Sequence, residues 1–378
     1  MRFVGRRARA IRRALFALLT TVGALAALEI GARVLFADDL AAATAPPPPP
    51  ADGAPTLRGN PYLLWEYAPG WRYELGAPVR INALGLRGEE PALPAPAGVR
   101  RLLTTGDSSV YGYGVADDEV FIQRAAETLG ESIEGWNAAI PGYSTFQSIN
   151  LLQMRALALE PDVVVIGNLW SDNNFDDFID RELLTAYTRW ESSWAGRLHH
   201  LLSPSALYRL LDYRVRVAGG ETAAARKVGW TIGGQAPTGR RRVAINDYAA
   251  NLDRLVALSQ EAGAEVVFLA LANREDLRGT ADAPGAWAPY RQVFREAADR
   301  AGAPLLDVPA AFRSSGEPAD TLFLDEMHPT ATGHTLMGDL LARALEGWRG
   351  GALLMGAGVG GGRPVYEDPY EGKGPLPR

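Results

Sequence analysis

The stretch Arg100-Arg101-Leu102-Leu103-Thr104-Thr105-Gly106-Asp107-Ser108-Ser109 decides the fold. A short apolar run at Leu102 and Leu103 enters a Gly-Asp-Ser turn. After Tyr113-Gly114 a helical pattern follows, carried by Val120, Phe121, Ile122, Ala125, Ala126 and Leu129. The order is strand, tight turn, helix. A serine in such a turn stands at the carboxyl end of a parallel strand, where open α/β sheets present their ligand sites. Its hydroxyl then faces solvent, and its N–H points towards negative charge developing near a helix N-terminus. The same serine also reads as a helix N-cap and nothing more, and residues far downstream bear on the choice.

Outward from this turn, strand and helix alternate. Ser132 to Asn137 reads as a short strand, ending in Ala138-Ala139-Ile140-Pro141-Gly142-Tyr143-Ser144. A helix is predicted over Gln147 to Leu159, with Leu151, Leu152, Met154, Leu157 and Ala158 on its buried face. Val163 to Ile166 is apolar on both faces, as a central parallel strand should be. It runs out into Gly167-Asn168-Leu169-Trp170-Ser171-Asp172-Asn173-Asn174. Further strands fall at Glu265 to Leu271 and Pro304 to Val308, after helices at Asp247 to Ala262 and Tyr290 to Ala301. This alternation predicts an α/β fold, a three-layer parallel sheet with helices on both faces.

The flanks differ in character. Residues 60–98 form a lead-in rich in aromatics and turns, including Trp65-Glu66-Tyr67, Pro69-Gly70-Trp71 and Arg87-Gly88, and read as short strands; Pro91 to Pro96 within it reads as a brief linker. The main domain spans 99–347 and carries a looser insertion at 175–245. That insertion has helical pieces at Phe178 to Trp190 and Leu198 to Val215, glycine pairs, and Arg240-Arg241-Arg242. It is expected to lie over the carboxyl edge of the sheet, with the arginine run as a solvated loop. Residues 348–378, rich in glycine and proline, read as a disordered tail.

Charge is unevenly spread. Six arginines between Arg2 and Arg13 stand against no acid, which leaves 32 basic against 44 acidic residues, a formal −12, for the rest of the 378-residue chain. Such a body argues against nucleic-acid binding. Cysteine is absent, so disulfides, thiolate catalysis and cysteine-zinc sites are excluded. The stretch 14–36 is apolar apart from Glu29 and Arg33, which are four apart and able to pair on one helix face. Its length suits a single transmembrane helix, and the preceding arginines place residues 1–13 in the cytoplasm and everything after the span outside. A cleaved signal peptide is the competitor, with Ala43-Thr44-Ala45 in the small-residue form of a cleavage site; an uncleaved anchor is the preferred reading. Residues 37–59, with Pro46 to Pro50 consecutive, read as an extended polyproline linker, and Ala41 to Ala54 is not expected to be helical.

The second half of the site lies in Leu322-Phe323-Leu324-Asp325-Glu326-Met327-His328-Pro329, before a helix at Thr335 to Leu345. An acid three residues ahead of a histidine lets the carboxylate accept from one ring nitrogen and leaves the other free as a base. Only four histidines exist, at 199, 200, 328 and 334, and no three acid or histidine residues sit at metal-ligand spacing.

In this order Gly-Asp-Ser, Pro-Gly-Tyr-Ser, an Asp-Asn segment after the central strand and Asp-x-x-His-Pro together resemble the SGNH family, also called GDSL hydrolases, over residues 60–347. The lead-in Arg87-Gly88 and the Glu29/Arg33 span resemble its membrane-anchored bacterial members. The resemblance implies a flavodoxin-like SGNH fold, Ser108 as nucleophile, His328 as base and Asp325 as its orienting acid, with N–H groups of Ser108 and Gly142 in the oxyanion hole. The family's third block reads Gly-x-Asn-Asp, whereas here Ser171 precedes Asp172. Register on Asp172 puts Ser171 at the side-chain donor position, and Asn173 is the alternative. The implied function is a cofactor-free serine esterase acting on oxygen esters of lipids, glycans or small molecules through an acyl-enzyme. An acyltransferase using the same residues and a non-catalytic binding domain are the alternatives.

Overall fold

A computed structural model of the chain describes residues 2–44, 57–60, 62–176, 178–218, 240–277, 287–346, 363–369 and 371. It divides into two compact units, Met1–Pro48 with Thr188–Trp230, and Pro49–Tyr187 with Thr231–Arg378.

The first unit begins with helix α1, Arg2–Leu35, of which Ile11–Leu35 is long and apolar enough to cross a membrane and is exposed throughout nearly all its length. The hydroxyls of Thr20 and Thr21 bond back to carbonyls one turn earlier, which satisfies them inside an apolar helix. Glu29 and Arg33 pair at 2.7 Å, as their spacing predicts. Helix α2, Ala37–Thr44, corrects the expected linker: Asp38 and Asp39 sit in its first turn and alanines follow, so acid–dipole attraction and propensity carry the chain to the edge of the prolines. The proline run itself falls outside the described residues.

The second unit holds the lead-in and the sheet. Strands β1 (Leu57–Asn60) and β2 (Leu64–Tyr67) pair antiparallel, as do β3 (Gly70–Glu74) and β4 (Ala77–Ile81). Arg87 then bridges Ile81 to Asn137. The main sheet is parallel and five-stranded, in the order β6-β5-β7-β8-β9, with β5 Arg100–Gly106, β6 Ile133–Asn137, β7 Val163–Gly167, β8 Glu265–Ala270 and β9 Leu305–Asp307. Every residue of β7 is buried, in keeping with its central place. After β5 come α3 (Ser108–Tyr111) and α4 (Phe121–Leu129); after β6 comes α5 (Thr145–Met154); after β7 come α6 (Trp170–Asn173) and α7 (Asp180–Ser192). Helices α8 (Trp194–Leu202) and α9 (Ala206–Ala218) complete the first unit. The order continues with α10 (Ile245–Glu261), α11 (Arg274–Leu277), α12 (Ala288–Ala301), α13 (Val308–Ser315), α14 (Ala319–Leu322) and α15 (Ala331–Leu345). Helices α5, α10 and α12 make one layer, and α4, α13 and α15 the other.

Four expectations change in this unit. The helix foreseen to Leu159 breaks at Arg155, whose φ of −142° is not helical, and resumes as a 3₁₀ turn at Ala156–Leu159. The last helix starts earlier, with Thr330 as its N-cap accepting from Gly333 N–H. The arginine run is not a solvated loop: Arg241 and Arg242 are buried. Nor is the tail structureless throughout, because Tyr366 bonds Glu296, Arg300 and Asn246, and Asp368 forms a buried bidentate pair with Arg241. Charge partners far apart in sequence decide both, and neither periodicity nor composition reports them. The glycine pairs of the insertion lie outside the described residues.

Candidate active site

Strands β5 and β7 end level, with Gly106 opposite Gly167, so the loops that follow them emerge side by side. A Cβ on Gly106 would stand 2.6 Å from a Val110 methyl and 2.9 Å from the Gly167 carbonyl, which explains a glycine at the end of β5. Asp107, not Ser108, caps α3: its carboxylate accepts from Ser109 N–H at 3.1 Å. That leaves the Ser108 hydroxyl for other work.

The Ser108 hydroxyl meets His328. Oγ lies 2.7 Å from Nε2, and Nδ1 lies 2.6 Å from Oδ2 of Asp325. With Nδ1–H donating to the carboxylate, Nε2 is the lone-pair nitrogen facing the hydroxyl. The other Asp325 oxygen accepts from the N–H groups of Met327 and His328, both at 2.9 Å, so the three-residue spacing builds a turn as well as a pair. Partial burial works to raise the Asp325 carboxyl, but the His328 ring and these two N–H groups outweigh it and hold it below the usual range.

Other groups brace this turn. Ser109, the neighbouring serine, is buried and donates to Met327 carbonyl at 2.9 Å. Arg274 donates to the carbonyls of Asp325 and Phe323. The Tyr113 ring centroid stands 5.3 Å from that of His328. Sequence reading missed Arg274 and Tyr113; the only signal was proximity of Tyr113 to the Gly-Asp-Ser turn.

Buried carboxylates hold the flanking loops. Asp107 accepts from Trp170 N–H at 2.7 Å and from Ser171 N–H at 3.4 Å, tying the third block to the first. Burial pushes its carboxyl up, against those bonds. Asp172 accepts from the N–H and hydroxyl of Thr145, tying the third block to the second, and burial pushes it to about 8. Gly142 takes a φ of 79°, which a side chain would strain, and its carbonyl accepts from Arg242 at 2.8 Å. Arg242 is in turn paired bidentately with buried Asp180. The N–H groups of Ser108 and Gly142 have no acceptor among the described residues.

The two side-chain candidates separate. Asn173 donates its amide to Leu169 carbonyl at 2.7 Å within its own turn. The hydroxyl of Ser171 has no partner among the described residues.

A parallel sheet with helices on both faces, bearing a serine, a histidine and an aspartate in contact at its loop edge, defines the class as an α/β protein. Residues 212–336 match the family described as GDSL-like Lipase/Acylhydrolase. The match includes Asp325 and His328, and it starts beyond Ser108. Similar solved structures include a lipase/acylhydrolase from Enterococcus faecalis, at 18% identity over 66% of this chain and 97% of that one, with a TM-score of 0.41. An acetylxylan esterase from Geobacillus stearothermophilus shares 15% identity over 65% and 93%, at 0.40. LAE5, an alpha/beta hydrolase enzyme from the Lake Arreo metagenome, shares 17% over 66% and 95%, at 0.42. No curated protein matches the chain.

Proposed function

We propose that the protein is a membrane-anchored serine esterase that cleaves oxygen esters through an acyl-enzyme at Ser108. The observation that carries this is the unbroken relay of two short contacts, Ser108 to His328 at 2.7 Å and His328 to Asp325 at 2.6 Å. Nε2 of His328 takes the hydroxyl proton as Oγ attacks the ester carbonyl, and Asp325 stabilises the imidazolium that forms. The N–H groups of Ser108 and Gly142 and the hydroxyl of Ser171 receive the oxyanion. His328 then protonates the leaving alcohol, and a water deprotonated by the same nitrogen releases the acid. Asp325 suits its role because its carboxyl stays ionised well below neutral pH.

The anchor is part of the proposal: α1 remains attached, its arginine-rich end in the cytoplasm and the esterase unit outside. Glu29 and Ala32 favour retention, since both pack on α9 and cleavage after Ala45 would remove them. The substrate is then an ester presented at the cell envelope, on a lipid, a glycan or a small molecule. Labelling of the full-length protein with a fluorophosphonate reports an activated serine without knowledge of the substrate, and Ser108→Ala must abolish it. Unchanged labelling of Ser108→Ala refutes the assignment. Acetyl, long-chain and acetylated-glycan esters offered in parallel identify the acyl class, and a reporter fused after Pro50 must be active only as an exported one.

A further inference from the structure

Helix α8 wears its apolar stripe on the outside. Trp194, Leu198, Leu201 and Leu202 recur at helical spacing on one face, and all are exposed, Trp194 and Leu201 by about three quarters, at 75% and 74%. An amphipathic helix of a water-soluble body turns such a stripe inward. Leu211 and Val215, one turn apart on α9, are exposed too. A contiguous surface of this kind marks a partner or a membrane.

The attachment of the pair to α1 identifies the occupant. Glu29 accepts from Ser205 hydroxyl and from the N–H groups of Ala206 and Leu207 at 2.8 to 2.9 Å, so the start of α9 is level with Glu29. Leu210 then packs with Ala32, and Arg214 pairs with Asp39, so α9 runs beside α1 and α2 in the same direction. From Arg13 to Glu29 a helix rises about 24 Å, against a hydrocarbon core of about 30 Å. Glu29, and with it the turn between α8 and α9, therefore falls about 6 Å inside the outer edge of the hydrocarbon. Two polar side chains at that turn find partners internally: Ser203 bonds His200 carbonyl, and His199 bonds Tyr208 hydroxyl. Trp194 sits about 12 Å above Leu202 along α8, at the level where tryptophan collects at membrane surfaces.

We infer that the turn of the α8–α9 hairpin dips into the outer edge of the bilayer that α1 crosses, with the α8 leucines in the acyl region and Trp194 among the headgroups. This rests on reading α1 as a retained anchor. The chain has no cysteine, so single substitutions carry a nitroxide label without background. Leu201→Cys, Leu198→Cys, Leu19→Cys and Glu127→Cys are made in the full-length protein and reconstituted in phosphatidylcholine vesicles, and collisions with oxygen and with a water-soluble nickel chelate are compared. Labels at 201, 198 and 19 are expected to favour oxygen several-fold, and a label at 127 the chelate. If position 19 favours oxygen while 201 and 198 favour the chelate, the hairpin proposal is overturned with the anchor intact. Shielding of 201 and 198 from both probes means a protein partner or second copy covers the face, and overturns it equally. A chelate-accessible position 19 locates the failure in the anchor.

Discussion

At the scale of single residues, a serine hydroxyl is a weak nucleophile until a base takes its proton. Ser108→Ala and His328→Ala are each expected to lower ester turnover by several orders of magnitude, and the double variant to fall little further, because the pair acts as a unit. Steady-state kinetics on the best ester of the panel check this; additive losses would mean the two groups work separately. Ser171 and Asn173 differ more subtly. Ser171→Ala should cost on the order of a hundredfold in kcat with an unchanged melting temperature, as removal of an oxyanion donor does. Asn173→Ala should leave kcat within about threefold and cost roughly 1 kcal/mol of stability, because its amide serves the Leu169 carbonyl. The reverse pattern would transfer the donor role to Asn173.

At the scale of elements, the piece of tail at Arg363–Pro369 straps the body. Asp368 pairs with Arg241 at 2.6 and 3.1 Å, with side-chain exposures of 4% and 0%, so neither charge has water to fall back on. Arg241 also donates to Asn173 carbonyl and lies over the rings of Phe175 and Tyr290. Asp368→Ala leaves the guanidinium buried without its counter-charge and should cost about 3–5 kcal/mol, read as a fall in the urea midpoint with an unchanged slope. A loss under about 1 kcal/mol would show that the strap is a surface contact.

At the scale of the whole molecule, buried ionisable groups tie stability to pH. His334 is buried against Phe121, whose N–H it accepts at 3.3 Å. Burial first, then the charges of Arg87 and His328, push its pKa from 6.5 to about 3. The unfolded chain thus binds a proton below about 6.5 that the folded chain refuses. The His334 contribution is whole above pH 6.5 and is lost as pH falls towards 3, with a slope of up to about 1.4 kcal/mol per pH unit. Asp172, raised to about 8, works in the opposite sense: its folded form keeps a proton that the unfolded form releases, so its cost shrinks as pH falls from 8 towards 4. Urea titrations of wild type and His334→Asn between pH 4.5 and 7.5 separate the two, because the difference between the proteins isolates the histidine. Parallel curves would show that His334 titrates alike in both states. The sequence by itself determined the order of strands and helices, the central place of Val163 to Ile166, and the candidate residues Ser108, Asp325 and His328. Those readings rest on periodicity, turn chemistry and short-range spacing, which are local. Tertiary structure alone decided that Arg241 and Arg242 are buried, that Asp368 returns to meet one of them, that Asp107 and Asp172 stitch the loops together, and that Glu29 caps α9. Each of these joins groups with many residues between them, and a charge reveals its partner only when the fold has removed the water that would otherwise serve it.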